Sequence, residues 1–153
     1  MFERENHKNQ SLIEQFRLSV RTEIEALEEV LLWFEAIAKP YLLKKSLWEC
    51  KLALAEGFTN TVYYAHQDLQ PLVPIILEIH FYLDWIEMQI WNVGPPFDLQ
   101  GKLTELRKKK GNPLDKESDR GLFFMQELTD ELDYIRVENK RNCLIMRKLI
   151  NIK

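Results

Sequence analysis

The spacing of apolar and polar positions changes several times along the chain, and each change marks an element. Between Leu12 and Val20, Phe16, Leu18 and Val20 alternate with Gln15, Arg17 and Ser19, which predicts a strand with one buried face. Thr22, followed three residues later by Glu25, has the form of a helix N-cap, and Ile24, Leu27, Leu31 and Phe34 recur at helical spacing until Pro40. A second, longer helix is predicted over 44–65. It carries Leu47, Leu54, Phe58 and Thr61 on one face, with Leu52, Ala55, Thr59 and Val62 beside them. Pro71 and Pro74 end that pattern. Leu77, Ile79 and Phe81 then alternate with Glu78, His80 and Tyr82, and beyond a tight turn at Asp84 the residues Ile86, Met88 and Ile90 alternate with Trp85, Glu87, Gln89 and Trp91. The two runs read as a hairpin with one apolar and one wet face.

Residues 94–118 are rich in Gly, Pro, Lys and Asp, with a short apolar patch at Leu103 and Leu106, and predict a long loop holding one helical turn. Helical spacing returns over 119–128, residues 132–138 read as extended, 139–142 as a turn and 143–150 as a final apolar strand. The order β-α-α-β-β-loop-α-β-β predicts an α+β fold. Its form would be a two-layer α/β sandwich, a mostly antiparallel mixed sheet covered on one face by helices.

Composition narrows the classes. A chain of 153 residues with 46% hydrophobic and 29% charged residues suits one folded domain, with residues 1–10 a flexible start. A net charge of -3 gives no field to hold nucleic acid, and the basic run Arg107 to Lys110 is too short to supply one. No apolar run reaches the roughly 18 residues that span a bilayer, so no membrane partner is expected. Cys50 and Cys143 both sit in apolar segments and read as core thiols of a reducing, cytoplasmic compartment. His7, His66 and His80 are too scattered for a metal site. Trp33, Trp48, Trp85 and Trp91 read as packing, with Trp85 and Trp91 on the wet face also a candidate partner surface.

Three places combine polarity and position in a way that suggests chemistry. Glu56 and Asn60 lie four apart and project from one helix face, where an amide oxygen can hold a hard cation and a carboxylate can polarise a hydroxyl. Asn92 shares strand parity with Ile86, Met88 and Ile90 and so points toward the helices, where an amide needs a backbone or ligand partner; Gly94 allows close approach. Arg120 and Gly121 stand at the start of a helix after a long polar loop, a place where N–H groups and the helix dipole favour phosphate. Each has an ordinary structural reading as well: a solvated helix edge, a Gly-Pro turn cap and a plain N-cap.

In order, these stretches resemble the boxes of GHKL ATPases. Residues 49–60, containing Glu56 and Asn60, resemble the N box; Asn92-Val93-Gly94-Pro95-Pro96-Phe97-Asp98 resembles the G1 box; Arg120-Gly121-Leu122-Phe123-Phe124-Met125 resembles the G2 box. Within that group the chain is most similar to the anti-sigma-factor serine kinases, over about Phe16 to Ile150. The resemblance implies ATP and Mg²⁺ as cofactors, Glu56 as the base that orients a serine hydroxyl and Asn60 as the Mg²⁺ ligand. It implies that Asn92 faces the adenine amino group, that Gly94, Pro96, Arg120, Gly121 and Leu122 complete the nucleotide site, and that 95–118 forms an ATP lid. The implied partners are an anti-anti-sigma (STAS-type) protein, phosphorylated on serine, and a sigma factor or sigma-like regulator. Asn92 stands where the family usually has Asp, Tyr64 where it usually has His, and Pro96 replaces the second glycine of the G1 box. These departures leave open a switch that binds nucleotide without transferring phosphate. A homodimer through the first strand or the wet sheet face is compatible with the pattern and not demanded by it.

Overall fold

Alternating side chains commit five segments to one sheet, and in the computed structural model, which describes residues 12–66, 69, 72–108 and 117–150, that sheet is antiparallel at every pairing. Its strands are β1 (Leu12–Arg21), β2 (Pro74–Tyr82), β3 (Trp85–Asn92), β4 (Glu131–Val137) and β5 (Arg141–Leu149), in the spatial order β1-β2-β3-β5-β4. The register brings Leu77 beside Ile90 and Ile79 beside Met88, and then Ile90 beside Leu144 and Met88 beside Met146. One row of apolar side chains therefore crosses the middle of the sheet on a single face.

That face is covered by α1 (Leu27–Ala38), α2 (Lys44–Asn60), α3 (Leu99–Lys108) and α4 (Glu117–Leu128). Phe34, Leu54, Phe58, Ile79, Phe81, Met88 and Ile90 are fully buried between the layers. Each such side chain contributes roughly 1.5–3 kcal/mol of transfer free energy. Helix α2 lies over β3 and β5, and Gly57 makes that possible: a Cβ there would stand 2.8 Å from Ile90 Cδ1 and 3.0 Å from Leu144 Cδ2. The fold is the helix-covered antiparallel sheet that the element order implies.

Several local details differ from the pattern. The second helix is α-helical only to Asn60 and continues as a π turn over Thr61–Ala65, and a π turn often marks a functional position. The loop over 94–118 holds a ten-residue helix, α3, because Leu99, Leu103 and Leu106 share one face and are buried in the core. Arg107 and Lys108 end that helix, whereas Lys109, Lys110 and the rest of 109–116 lie outside the described residues, as do 1–11, His7 and Pro71. Strand β5 begins at Arg141, so Asn142 is a strand residue; the turn is made instead by Glu138 and Asn139, both at φ 54°.

Thr22 does not cap a helix. Its hydroxyl donates to the Val73 carbonyl at 2.6 Å and lies 2.9 Å from His66 Nδ1. The second sheet face is not wet at its centre: Trp85, Glu87, Cys143, Ile145 and Arg147 are all buried. Arg147 Nε donates to Glu87 at 2.6 Å and its other arm to Glu131 at 3.2 Å, a cross-strand row in matching register. Trp85 stacks on Tyr82 and Trp91 lies under the Arg141 guanidinium, so both pack as read, but Trp48 is 61% exposed. Both cysteines are buried, as expected of core thiols, and burial pushes the Cys50 thiol up to about 12, partly offset by nearby Lys148.

Candidate nucleotide site

Helix α2 ends over the sheet where β3 ends beneath it, and a cavity of about 350 Å³ opens between them and α4. Its walls are mainly apolar, with Leu99, Leu122, Met125 and Leu144 contributing, and its polar groups are few: Asn60, Thr61, Tyr64, Asn92, Lys102 and Tyr134. That is the usual make-up of a small-molecule or cofactor site. Of the residues singled out in the sequence, Asn60, Tyr64, Asn92, Pro96 and Leu122 line the cavity.

Glu56 and Gly121 meet beside Asn60. A Cβ on Gly121 would lie 3.0 Å from Glu56 Oε2, 3.0 Å from Asn60 Nδ2 and 3.4 Å from Asn60 Oδ1. The missing side chain is what lets α4 rest directly on the carboxylate and the amide, so the N box and G2 box residues touch. Arg120, one residue earlier, is exposed and does not line the cavity. Gly94 serves the backbone instead. A Cβ there would stand 2.3 Å from the Ala65 carbonyl oxygen, so only glycine lets the end of β3 pass beneath the π turn.

Asn92 is the most constrained polar side chain of the site. It is 2% exposed, and its Oδ1 accepts from the Gly94 N–H at 3.0 Å and from Asn142 Nδ2 at 2.9 Å, while its own Nδ2 donates to the Tyr134 hydroxyl at 3.0 Å. Asn142 pairs with Asn92 across the strands, donates also to the Gly94 carbonyl at 3.0 Å, and is held from behind by Arg136, whose NH1 donates to Asn142 Oδ1 at 2.9 Å. Burial pushes the Tyr134 phenol above its usual range, partly offset by the Asn92 hydrogen bond. Phe97 meets the Tyr134 ring edge to face at 5.6 Å and closes the same wall.

His66 secures the corner. The Val93 N–H donates to its Nε2 at 2.9 Å, so the ring proton sits on Nδ1 and is given to Thr22 Oγ1, which passes its own proton to Val73 O. Burial holds the imidazole below its usual range, in line with this neutral, fully bonded state. Asn142, Arg136 and His66 had no place in the motif reading. Parity was the available signal, since Asn142 leads Leu144 and Met146 at every second residue, but turn chemistry at 139–142 masked it.

The residues fit a magnesium nucleotide. The cavity has room for a purine, Asn60 offers an amide oxygen, and α4 rests on Glu56 and Asn60 at Gly121, one turn into a helix that begins at Glu117 and not just before Gly121 as read from the sequence. Among the described residues no group of three His, Cys, Asp or Glu side chains could hold a metal alone. A single amide ligand suits Mg²⁺, which takes most of its shell from phosphate and water.

The antiparallel sheet, its helical cover and this cavity define a histidine kinase-like ATPase domain, and the family model of that description matches residues 20–148. The chain belongs to that family. Among curated proteins it is similar to the serine-protein kinase RsbW of Listeria innocua serovar 6a, at 28% identity over 117 residues, which cover 71% of this chain and 69% of the relative. No helix among the described residues is long and apolar enough to cross a membrane.

Proposed function

We propose that the chain is a cytoplasmic, magnesium- and ATP-dependent serine/threonine protein kinase of the anti-sigma kind. Its substrate would be a serine of an anti-anti-sigma (STAS-type) partner, and it would also sequester a sigma factor or sigma-like regulator. The family and the likeness to a serine-protein kinase support the class. The observation that carries the reading is the contact of Gly121 with both Glu56 and Asn60, which joins a carboxylate and an amide to the N-terminal half of α4 in one place.

When bound, Mg-ATP would supply the γ-phosphoryl group. Asn60 Oδ1 would hold the cation, and the N–H groups of the first turn of α4, just before Gly121, would face the phosphates. Glu56 would orient the incoming serine hydroxyl and accept its proton as the oxygen takes the phosphoryl group. Leu122, Met125 and Leu144 would exclude water from the base, while Pro96 and Phe97 would wall the pocket beside Tyr134. Gly94 acts through the backbone by letting β3 pass under Ala65, and Arg120 would meet the outer phosphate or the partner.

A second reading, a nucleotide-dependent switch without transfer, is favoured by one observation. Helix α4 lies against Glu56 Oε2 at Gly121, which leaves that oxygen less room for a serine than an open cleft would. Labelled ATP offered with a serine-bearing STAS-type partner separates the two. The kinase reading expects label on the partner and a loss of about 100-fold or more in Glu56→Gln; tight nucleotide binding with no label would establish the switch.

A further inference from the structure

Where Asn92 and Tyr134 meet, the cavity wall presents donors rather than acceptors. A backbone N–H can only donate, so the Gly94 contact fixes which end of the Asn92 amide is oxygen, and the Asn142 contact fills the second lone pair of that oxygen. Asn142 cannot turn round to release it, because the Arg136 guanidinium, which is donor-only, holds its oxygen. What remains at Asn92 is the amide nitrogen, with one N–H on Tyr134 and a second N–H to spare. Tyr134 Oη accepts from Asn92, which leaves the phenol proton free to point elsewhere, and both residues line the cavity. The nearby Thr61 hydroxyl gives its proton to the Gly57 carbonyl at 2.9 Å. Its lone pairs would accept from the 6-amino group of adenine or the N1–H of a 6-oxopurine alike.

From this geometry we infer that the base-reading end of the site, Asn92 with Tyr134, recognises an acceptor on the purine edge and does not select the 6-amino group. Nucleoside triphosphates with a 6-oxopurine therefore bind as well as ATP. The inference rests on the nucleotide reading above and adds a specificity to it. The O6 of a 6-oxopurine and the N1 of adenine both satisfy the donor pair, whereas the adenine amino group finds no acceptor on Asn92. Discrimination of one purine from another arises where a mismatch leaves a buried group unpaired, and here neither purine leaves Asn92 unpaired.

The test is competition binding to the full chain with Mg²⁺, comparing ATP with inosine triphosphate, which differs at the 6-position without a 2-amino group. Wild type should bind the two within about threefold of each other, and Asn92→Asp, which gains an oxygen free to accept the amino group, should prefer ATP by about tenfold. A wild-type preference for ATP of about tenfold or more overturns the inference and leaves the kinase reading standing. Failure of folded wild type to bind either nucleotide overturns both. An Asn92→Asp variant whose ratio matches wild type also overturns it, since the amide would then not be the reader.

Discussion

Replacing Gly121 with alanine separates the stability of α4 from its role at the site. Gly121 is the fifth residue of α4, and glycine inside a helix costs about 0.5–1 kcal/mol relative to alanine. On that ground alone the variant would melt about 2–3 °C higher in a domain of this size. Against this, the new methyl group would stand 3.0 Å from Glu56 Oε2 and from Asn60 Nδ2, so both side chains must retreat by a few tenths of an ångström. Their ends are not backbone and can give way cheaply, so the two effects should nearly cancel and the melting temperature should stay within about 3 °C of wild type. The chemistry does not share that tolerance, because a misplacement of about 1 Å can cost about 100-fold in rate. Transfer from γ-labelled ATP to a serine-bearing partner should fall by about tenfold or more, with unchanged circular dichroism. Unimpaired transfer in the well-folded variant would refute the placement of Gly121 against the reacting groups.

Gly94→Ala should behave in the opposite way. Its Cβ would lie 2.3 Å from the Ala65 carbonyl oxygen, a backbone atom that cannot step aside, so a loss of about 2–3 kcal/mol or more is expected in urea titration; a change under about 0.5 kcal/mol would contradict the close crossing. His66 should give stability a pH dependence. Its folded-state affinity for a proton is lowered by burial, so the unfolded chain protonates first as pH falls, and the contribution is complete above about 6.5 and lost below it. Urea midpoints at pH 7.5 and 5.5 should therefore differ more in wild type than in His66→Gln, and equal differences would rule out the Thr22–His66–Val93 chain as the source.

How much of this was legible in the sequence follows from which interactions are local. The strands showed because period-two alternation is a property of neighbouring residues, as in Leu77, Ile79 and Phe81, all of which face the helices. The Glu56–Asn60 pair showed because helical geometry alone brings i and i+4 together. The turn cap from Asn92 to the Gly94 N–H showed for the same reason, but the side-chain partners of Asn92 did not. They join residues 42 and 50 positions away and depend on the register of β3 with β5 and β5 with β4, which no local pattern specifies. Helix α3 was reduced to a single turn because three buried leucines in a lysine-rich stretch give too weak a stripe without the surface they pack on. The second sheet face was read as wet because Glu78, His80, Glu87 and Gln89 alternate with the apolar positions of the hairpin, whereas the ion pair of Glu87 with Arg147 on the next strand is what allows both to be buried.

A crystal structure of the chain with Mg²⁺ and a non-hydrolysable ATP analogue tests the convergence of these residues on one nucleotide most directly. The base should lie in the cavity against Asn92 and Tyr134, the cation on Asn60 Oδ1 and the terminal phosphate facing Glu56 near the start of α4. A saturating analogue seated elsewhere, with that cavity empty, would contradict the assignment.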